Sequence, residues 1–133
     1  MTKLVLIAED NAMIALSMMM ELEDAGFEPL GPAGRVEQAL KLAEARRPDL
    51  ALVDVDLQGG DSGLDLAREL HRTGVPVLYV TGQANLVTEA EGNRHAVGLL
   101  KKPFPTGGLA VAVTAALSGE RAEGDLPAQL VWF

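Results

Sequence analysis

The sequence predicts an α/β fold, a three-layer doubly wound parallel sheet of (βα)5 order. Three observations predict it. Short apolar runs alternate with longer segments of helical periodicity along the chain. The runs are continuous, as expected of strands covered on both faces rather than on one. Four of the five runs end in residues suited to chemistry: Glu9-Asp10 after the first, Asp54 at the end of the third, Thr81 at the end of the fourth and Lys102-Pro103 after the fifth.

Taken in order, Leu4 to Ala8 is the first buried strand, and Ala12 to Ala25 follows as a helix stopped by Gly26. Phe27 to Leu30 is a weaker strand, suited to an edge because Pro29 lacks a donor. Val36 to Arg46 is a helix stopped before Pro48, Leu50 to Asp54 a strand, and Leu64 to Arg72 a helix ended by Gly74. Val77 to Thr81 is the fourth strand. The stretch Ala84 to Arg94 should hold a helix, but its pattern is poor and predicts one that is short or frayed. Ala96 to Lys101 and Thr106 to Leu117 supply the last strand and helix. Right-handed crossovers then give the strand order 2-1-3-4-5.

At 133 residues, 48% of them hydrophobic, the chain predicts one folded domain over residues 1–118 and a tail over 119–133, with no room for a second output domain. A formal charge of -8, with eleven dispersed Lys and Arg, argues against a nucleic-acid partner. There is no cysteine, hence no disulfide framework and no thiolate metal site. The run Leu4 to Ala8 is too short for a signal peptide or a membrane span, so a cytoplasmic protein without a membrane partner is expected.

In an open parallel sheet, ligands bind in the crevice beyond the carboxyl ends of the strands. Glu9, Asp10, Asp54, Thr81 and Lys102 would meet there: three carboxylates, one hydroxyl and one ammonium. This ordered set, over about Lys3 to Leu117, resembles the receiver domain of two-component response regulators, whose flavodoxin-like fold has the strand order given above. The resemblance implies that Asp54 is a phospho-acceptor, served by a histidine kinase or a histidine phosphotransfer protein. A carboxylate attacks phosphorus readily only if the approaching negative charges are neutralised, and magnesium, a hard cation that takes oxygen ligands, does that. The resemblance further implies Asp10 and Asp54 as Mg2+ ligands, with Glu9 through a water and the backbone carbonyl of Asp56. Lys102 would bind a phosphoryl oxygen, Thr81 would donate its hydroxyl, and the Lys102-Pro103 peptide bond would be cis. The chain is then a phosphorelay signalling protein rather than an enzyme with an external substrate, and it acts on a downstream protein partner by contact.

Two other functions fit parts of the pattern. The run ALVDVDL around Asp54 also resembles the first motif of haloacid-dehalogenase-type phosphatases, with Asp54 as nucleophile. Those enzymes place their metal-binding acidic pair after the lysine, whereas here it precedes Asp54. A receiver-like binding module that is never phosphorylated is the other alternative. Each residue alone also has a plain structural reading: Glu9-Asp10 as the acidic start of a helix, Asp54 and Thr81 as strand-end caps, Lys102 as a surface lysine. His71 and His95 have no partner at ligand spacing and read as surface residues. Of the methionines Met13 and Met18 to Met20, part should pack inside and part stay exposed.

Several departures from the family pattern bear on output. Leu99 stands three before Lys102, where many receivers carry an aromatic that moves with the Thr. An aromatic instead precedes Thr81, in PVLYVTG, as Tyr79; this resembles a subgroup of stand-alone receivers, chiefly of alphaproteobacterial stress signalling. The loop Leu57-Gln58-Gly59-Gly60 replaces the usual Met-Pro and adds a residue before Gly63. Asp56 and Gln83, two beyond Asp54 and Thr81, occupy positions that border the attacking water in that family. Finally, from Leu109 to Leu117 only Thr114 is polar, and after a polar linker, Gly119 to Asp125, the chain reads LPAQLVWF. A helix so apolar needs cover. The expectation is a homodimer or partner complex through the last helix, with Leu126 to Phe133 packed along it or across to a second subunit.

Overall fold

The computed structural model describes residues 2–83, 94–118 and 126–133. Strands β1 (Leu4–Ala8), β3 (Leu50–Val53) and β4 (Val77–Thr81) are buried along their whole length, which is why their sequences are apolar up to the closing Thr81 of β4. They pair in parallel with β2 (Glu28–Ala33) and β5 (Gly98–Lys101) in the predicted order 2-1-3-4-5. Pro29 lies in β2 at the sheet edge, as its missing donor requires. The expected helix at 84–94 falls, but for Arg94, outside the described residues.

Alternate residues of each strand enter different cores. On one face, Val5, Ile7, Leu50, Leu52, Leu78, Val80 and Leu100 pack with Met18 and Leu22 of α1 (Ala12–Asp24) and Leu109, Ala112 and Val113 of the last helix, α4 (Gly108–Ser118). On the other, Leu6, Ala51, Val53, Tyr79 and Leu99 pack with Ala39 of α2 (Val36–Ala45) and Leu66, Ala67 and Leu70 of α3 (Gly63–Arg72). The methionines divide as expected, with Met18 buried and Met13 and Met20 exposed.

Helix starts are tied by side chains. Asn11 caps α1, accepting from the Met13 and Ile14 amides, both at 3.1 Å. Ser62 caps α3 through the Leu64 amide. The start of α4 is served from another helix: the Glu21 carboxylate of α1 accepts from Gly107 N at 3.1 Å and Ala110 N at 2.7 Å. An acid beside those free amides is favoured by the helix dipole as well. Replacing Asn11 with alanine is expected to cost about 1 kcal/mol of stability, read as a lower midpoint in urea at unchanged slope.

The tail corrects one expectation. Leu130–Trp132 does not lie along α4; it forms a sixth strand, β6, antiparallel to β5 on the sheet edge. Gly98 makes this docking feasible. It faces Trp132 across the pair, and a Cβ there would stand 2.6 Å from Val131 O and 2.9 Å from a Trp132 ring carbon. Leu130 thereby joins the core shared with α4, and Phe133 joins the opposite one. The apolarity of the tail is that of a strand inserted between two cores.

The structure also relates the two histidines to each other. Sequence spacing gave them no relation, yet the His71 and His95 rings lie 5.3 Å apart, tilted by 57°. His71 is exposed at the end of α3 and His95 half-buried just before β5, so the sheet juxtaposes what the sequence separates.

Candidate functional site

The carboxyl ends of β1, β3, β4 and β5 deliver the residues read from the sequence. Glu9 continues β1, its amide donating to Ala33 O at 2.9 Å, and Asp54 continues β3, its amide donating to Ala8 O at 3.0 Å. Lys102 follows β5, its amide donating to Thr81 O at 3.0 Å. The adjacent strand ends are thus laced by main-chain bonds before any side chain is considered.

The Lys102 ammonium lies between two acids. Its Nζ donates to Glu9 Oε1 and, at 2.9 Å, to Asp54 Oδ2. Glu9 is 4% exposed, and burial holds its carboxyl above the usual carboxylate range while Lys102 pulls the other way. For Lys102, burial acts to lower the pKa, but hydrogen bonds and charge from Glu9 and Asp54 outweigh it and the net direction is up. The ammonium therefore stays charged in a partly buried site.

Carboxylate oxygens of Glu9, Asp10 and Asp54 lie within 4.8 Å of one another. Glu9 Oε2 also accepts from the Asn11 amide at 3.2 Å, and Asp54 Oδ1 from the Asp56 amide at 3.3 Å. Three hard anionic donors so close repel unless a cation joins them, and this donor set suits a small divalent ion such as magnesium. Thr81 is fully buried, and its hydroxyl accepts from the Gln83 amide at 3.1 Å. Gln83 in turn donates through Nε2 to Asp56 Oδ2, so the two flanking positions noted in the sequence are bonded to each other across the mouth of the site. Lys102-Pro103 is cis, as is Gly31-Pro32, which the sequence did not reveal.

Two supports escaped the sequence. Gly63 sits against the backbone of Asp54 and Val55: its amide donates to Val55 O at 2.7 Å, and a Cβ would stand 1.9 Å from Asp54 O. Asp61, in the enlarged loop, accepts from the Val36 amide at 3.0 Å and so serves the start of α2, which lacks a side-chain cap of its own. That loop makes a 3-10 turn over Gln58–Gly60, with Gly59 and Gly60 at φ 70° and 81°, and Gln58 N donates to Gly34 O at 2.7 Å. Tyr79 is wholly buried in the same core as Leu99, and burial pushes its hydroxyl pKa up.

Comparisons with known proteins agree with this arrangement. Residues 5–114 match the response regulator receiver domain. The transcriptional regulatory protein PdtaR of Mycobacterium tuberculosis is 37% identical over 117 residues, 86% of this chain and 56% of that protein. The phyllosphere-induced regulator PhyR of Methylorubrum extorquens is 34% identical over 115 residues, 85% of this chain and 43% of that protein. The chain thus spans about half the length of the curated relatives it matches. Among solved structures, the receiver domain of PhyR from Erythrobacter litoralis superposes with a TM-score of 0.79 at 26% identity, covering 94% of this chain and 97% of that one. The NtrX receiver domain from Brucella abortus gives 0.78 at 28% identity, covering 87% and 99%. Sequence match, sheet order and acidic crevice agree: this chain belongs to the response regulator receiver domain family.

Proposed function

We propose that Asp54 is the phospho-acceptor of this receiver, charged by a phosphohistidine of a kinase or phosphotransfer protein in a magnesium-dependent reaction. The observation that carries it is Lys102, an ammonium held between Glu9 and Asp54 beside a third carboxylate, Asp10. A carboxylate oxygen of Asp54 attacks phosphorus; the P–O bond forms as the P–N bond to the donor histidine breaks, giving an acyl phosphate. Lys102 holds a phosphoryl oxygen as a point charge, and the Thr81 hydroxyl donates to another. Asp10 and Asp54, with Glu9 through a water and the Asp56 carbonyl, are the residues that would hold magnesium, which supplies neutralisation of the phosphoryl oxygens. Asp56 and Gln83, bonded to each other, border the path of the water that later hydrolyses the phosphate.

This is phosphorelay rather than turnover of an external substrate, and the setting we assign is the cytoplasm; among the described residues no helix is long and apolar enough to cross a membrane. Output runs through protein contacts with a downstream partner, a homodimer through α4 included, which light scattering coupled to gel filtration tests. The acceptor itself is tested by mass spectrometry after incubation with acetyl phosphate and magnesium: one phosphate on Asp54 is expected, and labelling elsewhere or none at all refutes the reading.

Magnesium is expected to raise the melting temperature. At roughly 100 times its Kd it adds about 2.7 kcal/mol by mass action, and Asp10→Ala should remove most of that gain. A wild-type melting curve indifferent to millimolar magnesium contradicts the proposed metal set.

A further inference from the structure

The seam between β5 and β6 begins one residue from the phosphorylation site. Lys101 N donates to Gln129 O at 3.0 Å, and the next residue, Lys102, places its ammonium on Asp54. At the other end Phe133 N donates to Val97 O at 3.0 Å. The pair is three residues of β6 long, and the buried Gln129 Oε1 beside it has no partner among the described residues. An unsatisfied buried acceptor weakens the docked state of this strand relative to the free one. The strand also carries no charge, and Val131 is 46% exposed.

A phosphoryl group on Asp54 must enter where the carboxylate and the Lys102 ammonium now stand 2.9 Å apart. The ammonium has to follow the phosphoryl oxygen it holds, and the backbone that carries it is tied at two places, Lys102 N to Thr81 O and Lys101 N to Gln129 O. Of these two bonds, the second belongs to the sheet edge. Leu99, midway along β5, pairs with Val131 and shares a core with Tyr79 and Phe133, so no aromatic at position 99 competes for that role.

We propose that β6 is the internal occupant of a strand-binding edge on β5, that phosphorylation of Asp54 releases it, and that the edge then takes an extended apolar strand of a partner protein. This rests on the acceptor role of Asp54. The partner chemistry follows from the resting occupant: a β-branched or aliphatic residue opposite Leu99 and an aromatic ring over Gly98, where a side chain on β5 would collide. Main-chain bonds to the unpaired edge supply affinity, and the Gly98 cleft supplies selection. By linkage, whatever phosphorylation does to β6, removal of β6 must do in reverse to phosphorylation.

Trp132 is the single tryptophan, so its emission reports on β6 alone. The full chain, phosphorylated with acetyl phosphate and magnesium, is followed by mass spectrometry for occupancy, by tryptophan emission, by amide exchange and by binding of a labelled peptide of residues 126–133. Expected for the phosphorylated chain are a red-shifted emission, exchange at Leu130–Trp132 roughly tenfold faster, and saturable peptide binding that the unmodified chain lacks. Val131→Pro, which puts a donorless residue into the strand, should free β6 without phosphate and let the unmodified chain bind the peptide. Gly98→Val should free β6 yet bind no peptide, because the cleft is filled; Gly98→Ala gives the same contrast if the larger residue prevents folding. Occupied Asp54 with unchanged emission and exchange overturns the coupling. Equal peptide binding by the Val131 and Gly98 variants overturns the edge as the site. Absence of phosphate on Asp54 overturns the acceptor assignment, and the coupling with it, while leaving the two variants as a separate test of the edge.

Discussion

Asp54→Asn is expected to lose all phosphate incorporation while keeping the fold. The two side chains are nearly isosteric, and the asparagine oxygen can still accept from the Asp56 amide as Oδ1 does. What disappears is the nucleophile: an amide oxygen carries no charge and forms no stable acyl phosphate. The Lys102 ammonium loses one of its two partners but retains Glu9, and the crowding of three carboxylates is relieved. The opposing effects leave the melting temperature close to that of the parent, so loss of labelling is not a folding artefact. Intact mass after exposure to a phosphodonor decides; labelling of this variant to the parent level removes Asp54 from the mechanism.

Gly63→Val is expected to damage stability and phospho-acceptance together. A Cβ on Gly63 meets the Asp54 carbonyl oxygen at 1.9 Å, its carbon at 2.7 Å and Val55 Cα at 2.9 Å. All three are backbone atoms, so no rotamer change relieves the collision and either α3 or the end of β3 must move. Overpacking of this kind costs about 3 kcal/mol or more, which at this chain length lowers the melting temperature by on the order of 10 °C. Because the displaced atoms belong to Asp54, its carboxylate moves relative to Lys102 and labelling falls even at temperatures where the variant is folded. A melting curve within about 2 °C of the parent would mean that the helix yields freely and that Gly63 is not what holds the acceptor in place.

The sheet was legible because burial on both faces leaves a plain trace. Leu4–Ala8 and Val77–Thr81 have in the structure the bounds read from the sequence, and the polar residues that follow such runs mark the crevice. The elements that were misjudged draw their identity from partners distant in sequence. The tail was read as cover for α4, since eight mostly apolar residues next to an apolar helix suggest no more than contact. That it becomes a strand depends on Gly98, and a lone glycine at a strand start does not announce what will lie over it. His71 and His95, 24 positions apart, carry no periodic signal, and α3 and the approach to β5 bring them together only through the sheet. In the site, the charged members were visible as residue types at strand ends. The backbone support from Gly63 and the cap from Asp61 were not, because a glycine needed for closeness and an acid serving an amide 25 positions away look like ordinary loop residues.

The carboxylate of Glu21 has a consequence for synthesis of the chain. Its two amide donors lie 86 and 89 positions later. At ordinary elongation speeds a ribosome needs roughly 5–18 s to add that many residues. Late in that interval the nascent chain has β1 and its neighbours β2 and β3, but the side of α1 bearing Met18 and Leu22 still lacks the helix that completes its cover. The half-made protein is therefore exposed on its α1 face, the surface on which a chaperone would act and on which mass production of the chain would first meet aggregation.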